Sequence, residues 1–373
     1  MALLHKQPAT GRVPMRGEAP SVAVRPSSRR VIARAYVDEK AAPAGPFARQ
    51  TFKNQLEALK SMSVVVADTG ELDLVKKYTP VDCTTNPSLV YKALSMPENR
   101  HFLEKALKAQ TKAPENPARP YAGVADQLSV DLGCELLKIV PGRVSTEVDA
   151  NLSYSTQPTI DKALHLMDMY AANGIDPSRI YIKLASTWEG IEACRVLERQ
   201  GINCNMTLLF SFAQAAACAD AGATLISPFV GRILDWYKAK EGRDFAPHED
   251  PGVLSVRRIY NYYKAHGYKT IVMAASFRNV GEIRELAGCD NITISPQLLG
   301  ELENSTEPLE RKLSKEAAKT ESGKLSNMTA ALFNELHGAD PMAVEKLKHG
   351  IDSFAADQKK LEDLLASIAA GKQ

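Results

Sequence analysis

The sequence predicts an α/β protein made of a single (β/α)8 TIM barrel with an additional C-terminal helix. Three observations indicate this fold. Short apolar runs typical of buried strands alternate with helical patterns, eight such runs occur, and no glycine-rich phosphate loop follows the first of them. A barrel of this kind needs about 250 residues, and the chain has 373. The alternative is an open doubly wound sheet, which usually carries such a loop after its first strand.

The eight predicted strands are short runs rich in apolar and β-branched residues. They cover residues 63–67, 81–85, 140–147, 180–185, 203–207, 224–227, 270–275 and 291–295. Helices are predicted between most of the strands, where apolar residues recur at helical spacing, over residues 88–107, 159–172, 187–200, 211–221, 253–266 and 279–286. A further helical pattern begins near Thr51, an amphipathic helix is predicted over 341–369, and the polar segment 304–324 is predicted to be a loop.

The first 36 residues differ in composition from the rest of the chain. They carry seven basic residues against one acidic residue, Glu18, and they lack the apolar stretch of a secretory signal. This composition predicts an organelle transit peptide over residues 1–36, with a plastid (chloroplast) favoured over a mitochondrion. A disordered basic tail is the alternative. Residues 37–50 are rich in alanine and proline and are predicted to form a linker, which leaves residues 51–373 for the barrel.

Charge and cysteine usage exclude several classes of partner and site. The net charge of +2 becomes −4 once the seven basic residues and one acidic residue of the leader are removed, so nucleic-acid binding is not expected. No stretch approaches the ~20 apolar residues of a membrane span, so no membrane partner is expected. The six cysteines are scattered without a CxxC motif, which disfavours a zinc site and a disulfide framework.

One lysine interrupts the predicted strand 180–185, which is otherwise apolar. Alternation along a strand places Lys183 on the same face as Tyr181 and Ala185. Burial disfavours the charged form of a lysine, and a neutral amine is a nucleophile that attacks carbonyl groups to give a Schiff base. The alternative is a structural lysine that extends from the strand end to solvent. Lys183 is therefore the first candidate for a catalytic residue.

Other candidate site residues follow the carboxyl ends of the predicted strands, where barrels of this kind carry their active sites. All but the aromatic Phe229 are polar. Each one alone has an ordinary structural interpretation, such as a helix cap, a turn or a surface ion pair. Because so many meet at one end of the barrel, we expect them to form a single site. They are Asp68, Asn86, Glu147, Asn205, Thr207, Ser227, Phe229, Arg232, Ser276 and Arg278.

The residue types in this set suit aldol chemistry on a sugar phosphate. Glu147 can move the protons of imine formation, and Asp68 can deprotonate the hydroxyl next to the bond that breaks. The neutral polar groups suit sugar hydroxyls, while Arg232 and Arg278 suit a phosphate. A glycosidase would also use two carboxylates, but it would leave Lys183 and both arginines without a role.

Six segments resemble the transaldolase family: residues 65–70, 84–89, 141–149, 182–188, 203–211 and 226–237. The resemblance extends over roughly residues 51–368. It implies a barrel that needs no cofactor and no metal. It also implies transfer of a dihydroxyacetone unit from sedoheptulose 7-phosphate or fructose 6-phosphate to glyceraldehyde 3-phosphate or erythrose 4-phosphate. This reaction belongs to the non-oxidative pentose phosphate pathway, so the expected partners are phosphorylated sugars; a homodimer is left open.

The resemblance also implies roles for individual residues. Lys183 matches the Schiff-base lysine, and Glu147 and Asp68 match the acid/base carboxylates. The hydroxyl-binding groups match Asn86, Asn205, Thr207 and Ser227, and the phosphate-binding groups match Arg232, Ser276 and Arg278. Ala274 departs from the glycine that is common in relatives. Lyase relatives, which resemble fructose-6-phosphate aldolase, tend to carry tyrosine where this chain has Phe229, so a transferase is favoured over a lyase. An inactive barrel that binds sugar phosphates is the remaining alternative.

Overall fold

A computed structural model describes residues 52–110, 113–114, 116–320 and 322–371. Within them, eight parallel strands close into a barrel in which β1 to β8 follow one another in chain order and β8 pairs with β1. The predicted (β/α)8 barrel is therefore confirmed. The predicted leader (1–36) and linker (37–50) lie outside the described residues. The strands are β1 (Val64–Asp68), β2 (Asp82–Thr84), β3 (Val144–Glu147), β4 (Ile180–Ala185), β5 (Cys204–Leu209), β6 (Leu225–Pro228), β7 (Ile271–Ala274) and β8 (Asn291–Ile294).

One helix precedes the first strand, and the others lie between the strands or after the last one. None of the described helices is long and apolar enough to cross a membrane. They are α1 (Gln55–Lys60), α2 (Leu72–Tyr78), α3 (Pro87–Leu94), α4 (Arg100–Ala109), α5 (Ala122–Leu137), α6 (Thr156–Ala172), α7 (Trp188–Arg199), α8 (Phe212–Ala221), α9 (Gly231–Glu241), α10 (Pro251–Ala265), α11 (Val280–Glu285), α12 (Pro296–Asn304), α13 (Ala330–Gly338) and α14 (Pro341–Ala369).

The helices differ from the sequence-based prediction in two ways. The predicted helix over 88–107 is two helices, α3 and α4, because Pro97 cannot donate the helical hydrogen bond and starts a short 3-10 turn instead. Five helices were not predicted: α2, α5, α9, α12 and α13. In α5, nine of the sixteen residues are buried, so the periodic contrast between an apolar and a polar face is weak.

The two faces of each strand meet different surroundings. Outward-facing residues such as Ile180, Ile182 and Leu184 pack against the helices in the main hydrophobic core. Inside the barrel, Val66, Tyr181, Leu225 and Met273 form a separate apolar cluster. Interior side chains of a barrel fill its centre in layers. Any polar side chain above this cluster is therefore enclosed by the barrel wall and open only towards the carboxyl ends of the strands.

The C-terminal helix α14 packs across the carboxyl ends of the strands. Its residues Leu347, Ile351 and Phe354 belong to one apolar cluster with Leu208 and Phe229 of the barrel. Leu208 has a left-handed backbone (φ +51°) at an irregularity in the pairing of β5 with β6. Such a bulge changes the direction of a side chain.

Polar contacts hold α14 in place at several points along its length. Arg119 donates hydrogen bonds to Glu362 of this helix at 2.5 Å and 3.3 Å and also pairs with Asp149, which follows β3. Further towards its start, the indole of Trp236 donates to Glu345 at 2.9 Å. The helix is therefore fixed to both sides of the barrel opening.

Candidate active site

Lys183 is buried inside the barrel above the apolar cluster, with 4% of its surface exposed. It lies on β4 opposite Glu147 of β3 in the strand register, and its Nζ is 3.1 Å from Glu147 Oε2. Nζ also donates a hydrogen bond to the backbone carbonyl of Thr85 at 3.0 Å. The structure therefore does not support the alternative in which this lysine extends to solvent.

Two carboxylates lie close to Lys183, and burial raises the pKa of each. For Glu147, burial is the largest effect, and the Lys183 ammonium and the Arg232 guanidinium oppose it. For Asp68, burial is again the largest effect, opposed first by Lys183 and then by a 3.0 Å hydrogen bond from the Thr84 hydroxyl. A carboxyl group with a raised pKa exchanges protons nearer to neutral pH, which suits general acid–base chemistry.

Neutral polar groups continue around the same level of the barrel. Asn205 pairs with Lys183 in the strand register, donates to Ser145 Oγ at 3.1 Å and accepts from Ser227 Oγ at 2.6 Å. The hydroxyl of Thr207 is buried without a hydrogen-bond partner among the described residues. Ser145 was not among the predicted site residues; its place at the end of the third predicted strand was the only signal for it.

A cavity opens above these groups and brings most of the predicted site residues together. Glu147 and Asn205 lie beside Lys183 but do not line the cavity, and Arg278 also lies outside the lining. Asn86 lines it, while its side-chain oxygen accepts from Leu89 N at 3.0 Å and caps α3. The lining residues are Asp68, Thr84, Asn86, Lys183, Thr207, Ser227, Phe229, Arg232, Ala275, Ser276 and Thr293.

Arg232 is held between two aromatic rings at the edge of this cavity. Its guanidinium carbon lies 5.0 Å from the ring centre of Phe229 and 5.5 Å from that of Phe354. One terminal nitrogen, Nη1, is buried and has no hydrogen-bond partner in the described part of the chain. Burial lowers the pKa of this arginine, but a guanidinium is so weak an acid that the side chain remains charged near neutral pH. A buried cationic donor without a partner suits an anionic group in the cavity.

The other two predicted phosphate ligands differ in their availability. Ser276 lines the cavity with a left-handed backbone (φ +62°), a conformation that costs a residue other than glycine about 1 kcal/mol or more. Arg278 instead forms a bidentate ion pair with Asp235 of α9, at 3.1 Å and 2.7 Å, and is 42% exposed. This pair engages Nε and Nη2 of Arg278, so Nη1 is the nitrogen through which Arg278 can donate to a phosphate while it stays paired with Asp235.

Phe354 completes the enclosure of the site, and sequence reasoning did not identify it as a site residue. Its ring lies 5.8 Å from Lys183 Nζ, and it is 1% exposed. The residue belongs to the apolar stripe of the predicted C-terminal helix, but that stripe alone does not indicate which surface the helix covers. The helix approaches the barrel closely at Gly350. A Cβ added to this glycine would lie 2.6 Å from Leu208 Cδ2 and 3.4 Å from Arg232 Nη1.

One group of potential metal ligands occurs in the described residues, and it lies apart from this site. Cys194, Glu198 and Cys204 bring their ligand atoms within 4.8 Å of one another. Both carboxylate oxygens of Glu198 already accept hydrogen bonds from Cys204 and Thr224. The group is therefore explained by the packing of α7 against β5 and β6.

A second cavity, of about 400 Å3, lies at the opposite end of the barrel. Its lining includes Lys60, Thr79, Val81 and Asp290 and contains none of the predicted site residues.

Comparison with known proteins identifies the family. The transaldolase/fructose-6-phosphate aldolase family matches residues 65–365. A transaldolase from Pseudoalteromonas atlantica is 59% identical over 315 residues, which cover 84% of this chain and 99% of the relative. Two others are a transaldolase from Aliivibrio salmonicida (57% over 313 residues; 84% and 98%) and transaldolase A from Pasteurella multocida (58% over 313 residues; 83% and 98%). The chain belongs to this family, and the prediction of a transaldolase, a transferase, is confirmed.

The predicted plastid or mitochondrial location is wrong. The three relatives named above, each matched over nearly its whole length, come from bacteria, which contain neither organelle. The prediction depended on the basic composition of residues 1–36, and such a composition is not specific to transit peptides.

Replacing Thr84 by valine is expected to raise the pKa of Asp68, because the hydroxyl that stabilises the ionised carboxylate is lost. If Asp68 acts in its ionised form, the acidic limb of the pH profile of kcat/KM moves to higher pH by up to about one unit. Thr85→Val is the matched control, since the Thr85 hydroxyl donates to the backbone carbonyl of Ser145 at 2.8 Å and not to a carboxylate. An acidic limb that stays in place in Thr84→Val would contradict this reasoning.

Proposed function

We propose that this member of the transaldolase family binds a ketose phosphate as a Schiff base on Lys183 and transfers its dihydroxyacetone unit to an aldose phosphate. The donors are sedoheptulose 7-phosphate or fructose 6-phosphate, and the acceptors are glyceraldehyde 3-phosphate or erythrose 4-phosphate. One observation carries the proposal: the buried lysine lies 3.1 Å from a buried carboxylate, and both face the interior of the barrel. The catalytic unit is residues 51–373, and a homodimer stays a prediction.

Glu147 is the proposed proton carrier for Schiff-base formation. The Lys183 ammonium must lose a proton before its nitrogen can attack the keto carbon, and Glu147 is the nearest carboxylate that can accept it, at 3.1 Å. The attack gives a carbinolamine, whose hydroxyl leaves as water once it receives a proton. The same carboxyl group can return that proton, directly or through a water molecule. The raised pKa of Glu147 favours both the uptake and the return near neutral pH.

Asp68 is the proposed base for the carbon–carbon bond cleavage. It removes the proton from the C4 hydroxyl of the bound ketose; the C3–C4 electron pair then moves towards the protonated imine, and the aldose leaves. The resulting enamine attacks the carbonyl carbon of the acceptor, and Asp68 returns its proton to the new hydroxyl. Hydrolysis of the product Schiff base frees Lys183. The Asp68 carboxyl lines the same cavity as Lys183, in agreement with this division of roles.

The remaining residues are proposed to orient the substrate. Asn86, Asn205, Thr207 and Ser227 would bind sugar hydroxyls, since each supplies neutral donors or acceptors near the lysine. The buried Thr207 hydroxyl has no protein partner among the described residues, so a substrate hydroxyl can satisfy it. Arg232, Ser276 and Arg278 would bind the phosphate group, with the unpartnered Nη1 of Arg232 as the principal donor.

Transfer rather than release of dihydroxyacetone depends on keeping water from the enamine. Phe229 and Phe354 surround Arg232 and enclose the cavity, and neither side chain has a hydroxyl that could orient a water molecule. This favours the transferase over the lyase alternative. The inactive binding protein is disfavoured because a pure binding site would not need a lysine and a carboxylate buried together, which is costly to fold.

Lys183→Ala and Lys183→Arg are both expected to lack detectable transferase activity while they remain folded. Arginine keeps the positive charge beside Glu147 but forms no Schiff base. Lys183→Arg therefore distinguishes the loss of the nucleophile from the loss of the ion pair. The measurement is the rate of erythrose 4-phosphate formation, with circular dichroism to verify folding. Lys264→Ala is the control, because Lys264 also forms an ion pair, with Asp290, but lies on α10 away from the site. Substantial activity in either Lys183 variant would disprove the proposed nucleophile.

Arg232→Ala is expected to raise KM for glyceraldehyde 3-phosphate by about 10- to 100-fold, the range for a lost charge-assisted hydrogen bond. KM for D-glyceraldehyde, which has no phosphate, should change much less. Arg258→Ala is a matched control, since this guanidinium stacks on Phe212 at 4.0 Å outside the cavity. Equal increases for both acceptors would remove Arg232 from the phosphate site.

A further inference from the structure

A pair of acidic side chains, Glu282 and Asp250, lies beneath the segment that carries Ser276 and Arg278, and the proposed mechanism does not use it. Glu282 is 0% exposed and belongs to α11, while Asp250 is 2% exposed and precedes α10. A buried carboxylate normally has a cationic partner. Among the described residues, no lysine or arginine forms an ion pair with either one, and the nearby Arg278 guanidinium is paired with Asp235.

Each carboxyl group accepts hydrogen bonds from the backbone. Glu282 Oε2 accepts from the backbone N–H of Arg278 at 2.6 Å and, more weakly, from that of Asn279. Asp250 Oδ1 accepts from Gly252 N at 2.7 Å and from Val253 N at 3.3 Å. The second oxygen of Glu282, Oε1, is buried without a donor in the described ranges, although the two carboxyl groups are close enough to hydrogen-bond to each other.

Two acidic groups in contact inside a protein are not both ionised, because the charges repel and neither is solvated. Burial is the main cause that raises the pKa of Glu282, the neighbouring Asp250 contributes in the same direction, and the resulting pKa is about 8. Near neutral pH the pair therefore holds one proton. The free oxygen Oε1 is the position from which protonated Glu282 can donate to Asp250.

The pair supports both segments that carry the proposed phosphate ligands. Glu282 holds the backbone N–H of Arg278, two residues after the strained Ser276. The Ser276 carbonyl accepts from Gly231 N at 2.9 Å, immediately before Arg232. The segment at Gly231 and residues 276–278 are in close contact, since a Cβ added at Gly231 would lie 2.6 Å from the Ser276 oxygen and 2.5 Å from Arg278 Cγ.

Asp250 supports the segment before α9 from its other side. It caps α10 through Gly252, and a Cβ at Gly252 would lie 2.1 Å from the carbonyl oxygen of Val230. A shift of either carboxyl group would therefore move the backbone at Val230–Arg232 or at residues 276–278.

We propose that Glu282 and Asp250 are positioning residues that share one proton and thereby hold Arg232, Ser276 and Arg278 in the arrangement that binds the substrate phosphate. This inference rests on the proposed function, because it assigns the phosphate to these three residues. Loss of the shared proton would place two negative charges side by side. Their repulsion would separate the two segments and weaken phosphate binding as the pH rises above about 8.

Among the described residues, the other charged groups around α11 do not neutralise the Glu282–Asp250 pair in place of this proton. Arg257 of α10 forms an ion pair with Glu285 at 3.0 Å, and Arg278 pairs with Asp235, whose negative charge raises the pKa of Asp250. Lys238 of α9 is influenced by Asp250 but forms its ion pair with Asp244. Of the other charged groups on these elements, Arg284 donates to Gln55 at 3.0 Å and Lys264 pairs with Asp290 at 2.6 Å. His248, Glu249, Arg258, Glu301 and Glu303 are exposed.

The pH dependence of anion binding tests the proposal. Sulfate is a suitable probe because it remains a dianion over pH 6.5–9, whereas a phosphate ester titrates within or near this range. Its Kd is obtained from the sulfate dependence of Tm, with sodium chloride at equal ionic strength as the reference. For the wild type, Kd is expected to be constant up to about pH 8 and then to rise, approaching tenfold per pH unit. This readout does not require turnover.

Glu282→Gln is the decisive variant. Its amide can accept from Arg278 N and donate to Asp250, so it reproduces the protonated pair at every pH. Kd for sulfate should match the wild-type value below pH 7.5 and change less than about twofold up to pH 9. Asp250→Asn should also lose the pH dependence, because only one carboxyl group remains. Glu285→Gln, on the same helix, should behave like the wild type.

Three results would overturn the proposal: a wild-type Kd independent of pH, an unchanged pH dependence in Glu282→Gln, or the same loss of pH dependence in Glu285→Gln. Failure of the proposed function would differ, since it would appear as absent transfer activity in the wild type at every pH. Kinetics give a second readout. Above pH 8, Glu282→Gln should have a lower KM than the wild type for glyceraldehyde 3-phosphate and an unchanged KM for D-glyceraldehyde, with little difference in kcat.

Discussion

The ion pair between Lys183 and Glu147 is the interaction on which the rest of the site depends. Both side chains are enclosed by the barrel, and their charges are balanced by those of Asp68 and Arg232, which influence the same carboxylates. Two positive and two negative charges compensate one another here, and removal of a buried one leaves its partner without compensation, which typically costs several kcal/mol. In the proposed mechanism the amine and its proton acceptor must lie together, which would explain why the barrel interior tolerates these charges.

The C-terminal helix converts an open barrel end into an enclosed site. A barrel alone would leave the cluster exposed to solvent above the carboxyl ends of its strands. In this chain, α14 places Phe354 over Lys183 and Arg232, and Gly350 allows the helix to approach Leu208 closely. Exclusion of water strengthens every charge interaction inside the cavity. It would also protect the proposed enamine from protonation by water. The position of α14 would therefore favour transfer of the dihydroxyacetone unit over its release.

Much of the fold could be predicted from the sequence because strand and helix patterns are local. All eight strands were predicted, and their polar ends indicated one site, since parallel strands in a barrel end on the same side. Contacts between distant segments could not be predicted in this way. The ion pair of Arg278 with Asp235, the position of Phe354 above the lysine and the contact of Glu282 with Asp250 all depend on how helices pack after the barrel closes. The basic composition of residues 1–36 led to a wrong prediction of an organelle location, because such a composition also occurs in segments that are not transit peptides.

Reduction with borohydride in the presence of fructose 6-phosphate, followed by peptide mass mapping, tests the Schiff base most directly. Borohydride converts an imine into a stable secondary amine, so the modified lysine can be identified. A dihydroxyacetone-derived adduct on Lys183 is the predicted result, and it would also identify the unit that the enzyme retains. An adduct on a different lysine, or no adduct on folded protein, would contradict the assignment of Lys183 as the nucleophile.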